Sequence, residues 1–158
     1  MKTYNSKIYA KIYPEETKLT ENYEFEYIMN FDGCSKGNPG RAGAGAVIYK
    51  NGIEIWGDCQ FVGINATNNV AEYAGLVLGL EQATEENITR LLIQGDSLLV
   101  IKQMTGEYKV HGYNLIPFYN RAMVLLKQFE IVSFQHVYRE KNVRADELSN
   151  RGLLLEML

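Results

Sequence analysis

Asp32, Glu72, Asp96 and Asp146 are the residues of this 158-residue chain whose types and positions could carry chemistry. Asp32 ends a run of strand formers in EFEYIMNFDG, and Asp96 ends another in LLIQGDS. The carboxyl ends of neighbouring strands in an open α/β sheet are a favoured place for a site. Glu72 falls in TNNVAEYAGLVLGL, in the expected first turn of an apolar helix; Asp146 falls in NVRADELSN, where it opens a last helix and suits the helix dipole. Each placement has an ordinary explanation: an aspartate–glycine turn at Asp32, helix-start carboxylates at Glu72 and Asp146, an N-cap of SLLVIKQM at Asp96. Brought together, the same residues would repel one another, raise one another's pKa and destabilise the fold unless cations neutralised them. Hard divalent cations meet that need, and a carboxylate set without His or Cys suits Mg²⁺ better than zinc.

The elements that must position these groups can be read from composition and turn signals. EFEYIMNF (24–31), AGAGAVIYK (42–50) and IEIWGDCQFV (53–62) read as strands, and Asn51-Gly52 between the last two is a hairpin signal because both residues tolerate positive φ. Thr67 or Asn68 can cap the helix VAEYAGLVLGLEQA, apolar on nearly every face and so packed on the sheet. ITRLLIQ (88–94) reads as a strand, SLLVIKQM (97–104) as a short helix, NLIPFYNRAMVLLKQF (114–129) as a longer helix opened by Pro117, EIVSFQHVY (130–138) as a strand and ADELSNRGLLLE (145–156) as a closing helix. The order βββαβααβα specifies a mixed α/β sheet.

Composition bounds the function without naming it. The length and the 46% hydrophobic content fit one domain with an ordinary core. No apolar run reaches membrane-spanning length and the start lacks a secretory stretch, so an intracellular protein, cytoplasmic or nuclear, is expected. Cys34 and Cys59 show no metal-ligand spacing and are read as reduced structural thiols. A formal charge of -3 carries no polycationic signature, so any nucleic-acid partner has to be argued from a site. The glycine-rich stretch after Asp32 completes neither a Walker loop nor a dinucleotide fingerprint. Residues 1–22 show no clear periodicity and read as an N-terminal extension to a domain covering 23–158.

FDGCSKGNPG with its glycine-rich strand, TNNVAEYAGLVLGL, LLIQGDSLLVIKQMTGEYKV and HVYREKNVRADELSN resemble, in order, spacing and context, the type 1 ribonucleases H. The resemblance spans residues 24–152 or so. It implies a five-stranded mixed sheet flanked by helices, with a βββαβαβα core, and hydrolysis of the RNA strand of RNA–DNA hybrids to 5′-phosphate and 3′-hydroxyl ends. Asp32, Glu72, Asp96 and Asp146 fall on the family's catalytic carboxylates. The resemblance implies two Mg²⁺ ions, or Mn²⁺ in their place, roughly 3.5–4 Å apart. Asp32 bridges both, Asp96 and Asp146 complete one side each, and Glu72 orients water and senses the ribose hydroxyl. Gly33, Ser35, Asn38, Thr67 and Asn69 fall on substrate-contacting positions, with glycine amides and Asn38 facing the hybrid's minor groove and Thr67 a DNA phosphate. The loop REKNVRA lacks the histidine that some members carry and resembles the histidine-lacking branch, in which Arg139 takes over part of its task. His136, in the alternation Val132, Phe134, His136, Tyr138, reads as a packed strand residue. GEYKVHGYN (106–114) is too short for the basic helix with which some members grip the hybrid, leaving Lys36, Lys109, Arg139, Lys141 and Arg144 to supply positive charge. A monomer is the family expectation. The alternatives are a hybrid-binding module without activity and a domain that works with a reverse transcriptase or polymerase partner.

Overall fold

A computed structural model describes residues 25–155 together with the short segment Ile8–Tyr9. In chain order the elements are β1 (Ile8–Tyr9), β2 (Tyr27–Lys36), β3 (Gly40–Lys50), β4 (Ile53–Ala66), α1 (Asn68–Glu85), β5 (Arg90–Gly95), α2 (Leu98–Met104), α3 (Ile116–Leu126), β6 (Ile131–His136), a 3₁₀ turn (Arg139–Lys141) and α4 (Val143–Leu155). The expected mixed sheet is present as β4-β3-β2-β5-β6, and the two-residue β1 adds an edge strand beside β6. The rest of the expected extension, residues 1–22, lies outside the described residues. Among those described, no helix is long and apolar enough to cross a membrane.

The β3–β4 hairpin turns at Asn51-Gly52, with φ of 50° and 82°, the backbone that the dipeptide favours. The β2–β3 hairpin turns through Gly37, at φ 108°, and pairs Lys36 with Arg41. Because β3 pairs with β2 along its whole length, β2 does not end at Asp32 as expected but continues to Lys36. What ends there is the partnership with β5: the last pair in that parallel register is Phe31 with Gly95.

Alternation along the strands divides the sheet between two packed layers. Met29, Phe31, Ile48, Leu91, Ile93 and Phe134 face a core filled from α1 by Tyr73, Leu76 and Leu80 and from α3 by Ala122, Leu125 and Leu126. Val47, next to Ile48 and so on the other face, packs against Ala145 and Leu148 of α4. Both helices approach the sheet closely because glycine lies beneath them. A Cβ at Gly33 would collide with the main chain of Ala71 and Glu72 in α1, and one at Gly45 would lie 2.5 Å from Leu148 Cβ and 2.6 Å from the Ser149 nitrogen in α4. The helices seated in this way carry Glu72 and Asp146.

Gly45, the cross-strand partner of Asp32, tests that seating. Overpacking a well-filled core costs about 1–3 kcal/mol, and the atoms opposing a new Cβ here are main chain or a Cβ rather than a flexible side-chain end. Gly45→Ala is therefore expected to lose stability on that scale in denaturant unfolding.

Candidate active site

The parallel register that stops at Phe31 and Gly95 makes Asp32 and Asp96 the next residues on two adjacent strands, at the same end of the sheet. β5 stops because α2 begins: Ser97 caps it, its Oγ accepting from the Val100 N–H at 3.3 Å. Asp96 is therefore not the N-cap, and its ordinary explanation is gone. Thr67 caps α1, with Oγ1 accepting from the Val70 N–H at 3.2 Å. Since α1 starts at Asn68, Glu72 lies in the second turn rather than the expected first, where its charge gains little from the helix dipole. Asp146 does occupy the first turn of α4.

Carboxylate oxygens of Asp32, Glu72 and Asp96 lie within 4.8 Å of one another. Asp146 stands outside that innermost set but lines the same cavity, of about 290 Å³, where it helps to raise the Asp32 carboxyl. Burial, then repulsion from Asp96, pushes the Asp32 carboxyl up to about 7. Burial and the Asp32 charge hold Glu72 well above the usual carboxylate range. Burial also raises Asp96, opposed by a hydrogen bond from Asn142 and by the charges of Arg139 and His136. Oε1 of Glu72 is buried and has no hydrogen-bond partner.

An orphaned, desolvated acceptor facing two further carboxylates is a poor arrangement for a metal-free core and a suitable one for a hard cation. The donor set is oxygen only, which fits Mg²⁺ or Mn²⁺ better than a softer metal. Asp32, Glu72 and Asp96 are placed to hold such an ion together, with Asp146 adjacent.

The other residues singled out in the sequence fall around this cavity. Gly33 and Arg139 line it, Arg139 from the 3₁₀ turn. Ser35, Asn38, Thr67 and Asn69 gather where the β2–β3 turn meets the N-terminus of α1. Asn68 joins the two: its Oδ1 accepts from the Ser35 N–H at 2.8 Å and its own N–H donates to Asn38 Oδ1 at 2.9 Å. The Ser35 hydroxyl donates to the Ala66 carbonyl at 2.7 Å. Asn68 also lines the cavity, so a residue read from sequence only as a cap helps to shape the site. Cys34 lines it too, although its thiol was expected to be structural. His136 ends β6 opposite Gly95, half-buried, with its charge felt at Asp96. Strand alternation hid that position, because the signal lies in the register of β6 against β5. Arg144 is committed elsewhere: it pairs with Glu54 at 2.9 Å and Glu147 at 3.3 Å.

A family model described as reverse transcriptase-like matches residues 30–152. The bifunctional protein Rv2228c of Mycobacterium tuberculosis is 40% identical over 128 residues, which is 80% of this chain and 35% of that protein, so the chain spans about a third of the relative's length. The crystal structure of RNase H1 from the halophilic archaeon Halobacterium salinarum superposes with a TM-score of 0.76 at 39% identity, covering 80% of this chain and 96% of that one. LC11-RNase H1, solved in complex with an RNA/DNA hybrid, superposes with a TM-score of 0.77 at 33% identity, covering 84% and 99%. This chain belongs to the reverse transcriptase-like ribonuclease H family.

The charge cluster has a measurable consequence in metal-free protein. Between the ordinary aspartate value of 3.8 and about 7, the unfolded chain has released a proton that folded Asp32 retains. Stability therefore falls as pH rises through that window. Thermal unfolding in chelator is expected to show a melting temperature that declines from pH 4 to pH 7. Asp32→Asn, which removes one of the repelling charges, is expected to melt higher than the wild type at pH 8 under the same conditions.

Proposed function

We propose that this chain is a metal-dependent endonuclease that hydrolyses the RNA strand of RNA–DNA hybrids. The observation that carries the reading is the convergence of Asp32, Glu72 and Asp96 within 4.8 Å around a buried oxygen that lacks a partner. Relatives that share the fold bear the name ribonuclease H, and one of them was solved on a hybrid. Residues 23–158 form the catalytic domain, acting as a monomer, and residues 1–22 an extension to it.

Two Mg²⁺ ions, or Mn²⁺, held by Asp32, Glu72, Asp96 and Asp146 supply the polarisation of water and of the scissile phosphate. Around them the chain's own groups divide the remaining work. Glu72 orients the attacking water and accepts from the ribose 2′-hydroxyl, which only the RNA strand possesses. Water oxygen bonds to phosphorus, the bond from phosphorus to the 3′-oxygen breaks, and that oxygen takes up a proton, leaving 5′-phosphate and 3′-hydroxyl ends. Arg139, always protonated, stabilises the departing phosphate in place of the histidine that other members use, the arrangement of the histidine-lacking branch that this loop resembles. Gly33, Ser35, Asn38, Thr67 and Asn69 form a shelf for the hybrid, with Asn68 holding its two halves together. Such hybrids arise where nucleic acid is copied, which sets the site of action inside the cell.

The purified chain is expected to cut a labelled RNA–DNA hybrid in Mg²⁺ and to leave duplex DNA and duplex RNA intact. Chelator and Asp96→Asn should each abolish cutting, the substitution by at least about a hundredfold in kcat, the scale on which loss of one preorganised charged group acts. Retained hybrid binding without any cutting by the wild type would favour a binding module instead. Arg139→Ala is expected to lower kcat more than it raises KM in the same assay.

A further inference from the structure

Asn142 lies between the 3₁₀ turn and α4 and is 1% exposed. A primary amide is buried at a cost unless its donors and acceptor find partners. Its Oδ1 accepts from Asn30 Nδ2 at 3.0 Å, and its Nδ2 donates to the Phe31 carbonyl at 2.9 Å. The same amide lies near enough to the Asp96 carboxyl to favour its ionised form. In the main chain, the Asn142 carbonyl accepts from the Asp146 N–H at 3.1 Å and the Asn142 N–H donates to the Arg139 carbonyl at 2.9 Å.

These partners share one property. Phe31 immediately precedes Asp32, the Asp96 carboxyl feels the amide, Asp146 is held through its main-chain N–H, and Arg139 belongs to the turn that faces Asp96. A single buried residue thus ties together β2 at the point where it parts from β5, the end of β5 and the first turn of α4. The other buried side-chain pairs in the interior differ: Tyr73 donates to Gln103 at 2.7 Å, and Gln94 donates to Gln135, with none of the four carboxylates as a partner in either bond.

We infer that Asn142 is a positioning residue for cation binding: its amide and main chain hold Asp32, Asp96 and Asp146 in one mutual arrangement against their repulsion. It touches no substrate and acts through the carboxylates. The directed amide matters more than the bulk of the side chain, because it holds the Phe31 carbonyl in place and presents its polarity to the Asp96 carboxyl. Groups that orient metal ligands typically change metal affinity by about 10–100-fold when removed. The inference rests on the metal-dependent reading above.

The test compares wild type, Asn142→Ala and Tyr73→Phe, the last removing a buried hydrogen bond to Gln103 in which no carboxylate takes part. Calorimetric Mn²⁺ binding without substrate, the Mg²⁺ concentration for half-maximal hybrid cutting, and melting temperature in chelator are measured for each. Asn142→Ala is expected to weaken Mn²⁺ binding and raise the Mg²⁺ requirement by at least about tenfold. Tyr73→Phe should lower the melting temperature with its Mg²⁺ requirement unchanged. If Asn142→Ala melts lower but binds Mn²⁺ and uses Mg²⁺ as the wild type does, Asn142 is merely structural and the inference is overturned. Should Asn142→Ala not fold, Asn30→Ala, which removes only the group orienting the amide, decides the matter: about a threefold weaker Mn²⁺ affinity supports the inference, and an unchanged affinity overturns it. A wild type that neither binds Mn²⁺ nor cuts the hybrid would overturn the functional reading as well, which separates the two failures.

Discussion

Like charge gathered in a poorly hydrated place is the constraint around which this molecule is organised. Asp32, Glu72 and Asp96 are held close enough to disfavour one another's ionised forms, and burial strengthens the effect. A chain selected for stability alone would separate these groups or replace one with an amide. Their retention makes sense when the charged state is completed by a cation, so that part of the folding free energy is realised only on binding. The unpartnered Glu72 oxygen is the clearest sign of a donor set suited to a hard cation.

Holding repelling groups together requires stiff supports, and the fold supplies them from different directions. The parallel pairing of β2 with β5 stops one residue before Asp32 and Asp96 and places the two by backbone register alone. Helices on opposite faces bring Glu72 and Asp146 to the same end of the sheet, each seated over a glycine so that no side chain keeps it at a distance. A small layer of buried amides, Asn30, Gln94, Gln135 and Asn142, underlies the strand ends, where an apolar layer would leave Asp96 without a donor. Preorganisation of this kind lets an active site hold charge without rearranging at the moment of reaction.

Affinity for a polyanion, which the proposed function requires, poses the opposite electrostatic problem. The chain is net negative, the segment between α2 and α3 is short, and Arg144 neutralises Glu54 and Glu147. Attraction to phosphate then falls to Arg139, beside the carboxylates, to a few surface lysines and to bound cations. Association governed by so few contacts depends on salt with a shallow slope, since each phosphate neutralised adds to that dependence. Recognition by shape and by the 2′-hydroxyl, rather than by bulk charge, suits such a surface.

Local chemistry made much of this molecule readable in one dimension. Asn51-Gly52 turns a hairpin because both residues accept positive φ, Thr67 caps a helix because its oxygen reaches the Val70 N–H, and the apolar runs state which segments are buried. The four acidic blocks, in their order, were enough to suggest a metal site. Other features depended on partners remote in sequence. β2 runs past Asp32 because β3 pairs with it to Lys36, and His136 stands beside Asp96 because β6 is in register with β5. Asn142 was invisible for the same reason: an asparagine in a polar loop looks solvated until tertiary structure closes Asn30, Phe31 and Asp96 around it. Residue type and local spacing set which groups are able to do chemistry, whereas their distances, burial and hydrogen-bond partners exist only once separate segments pack, because those quantities belong to pairs of residues and not to the chain read in order.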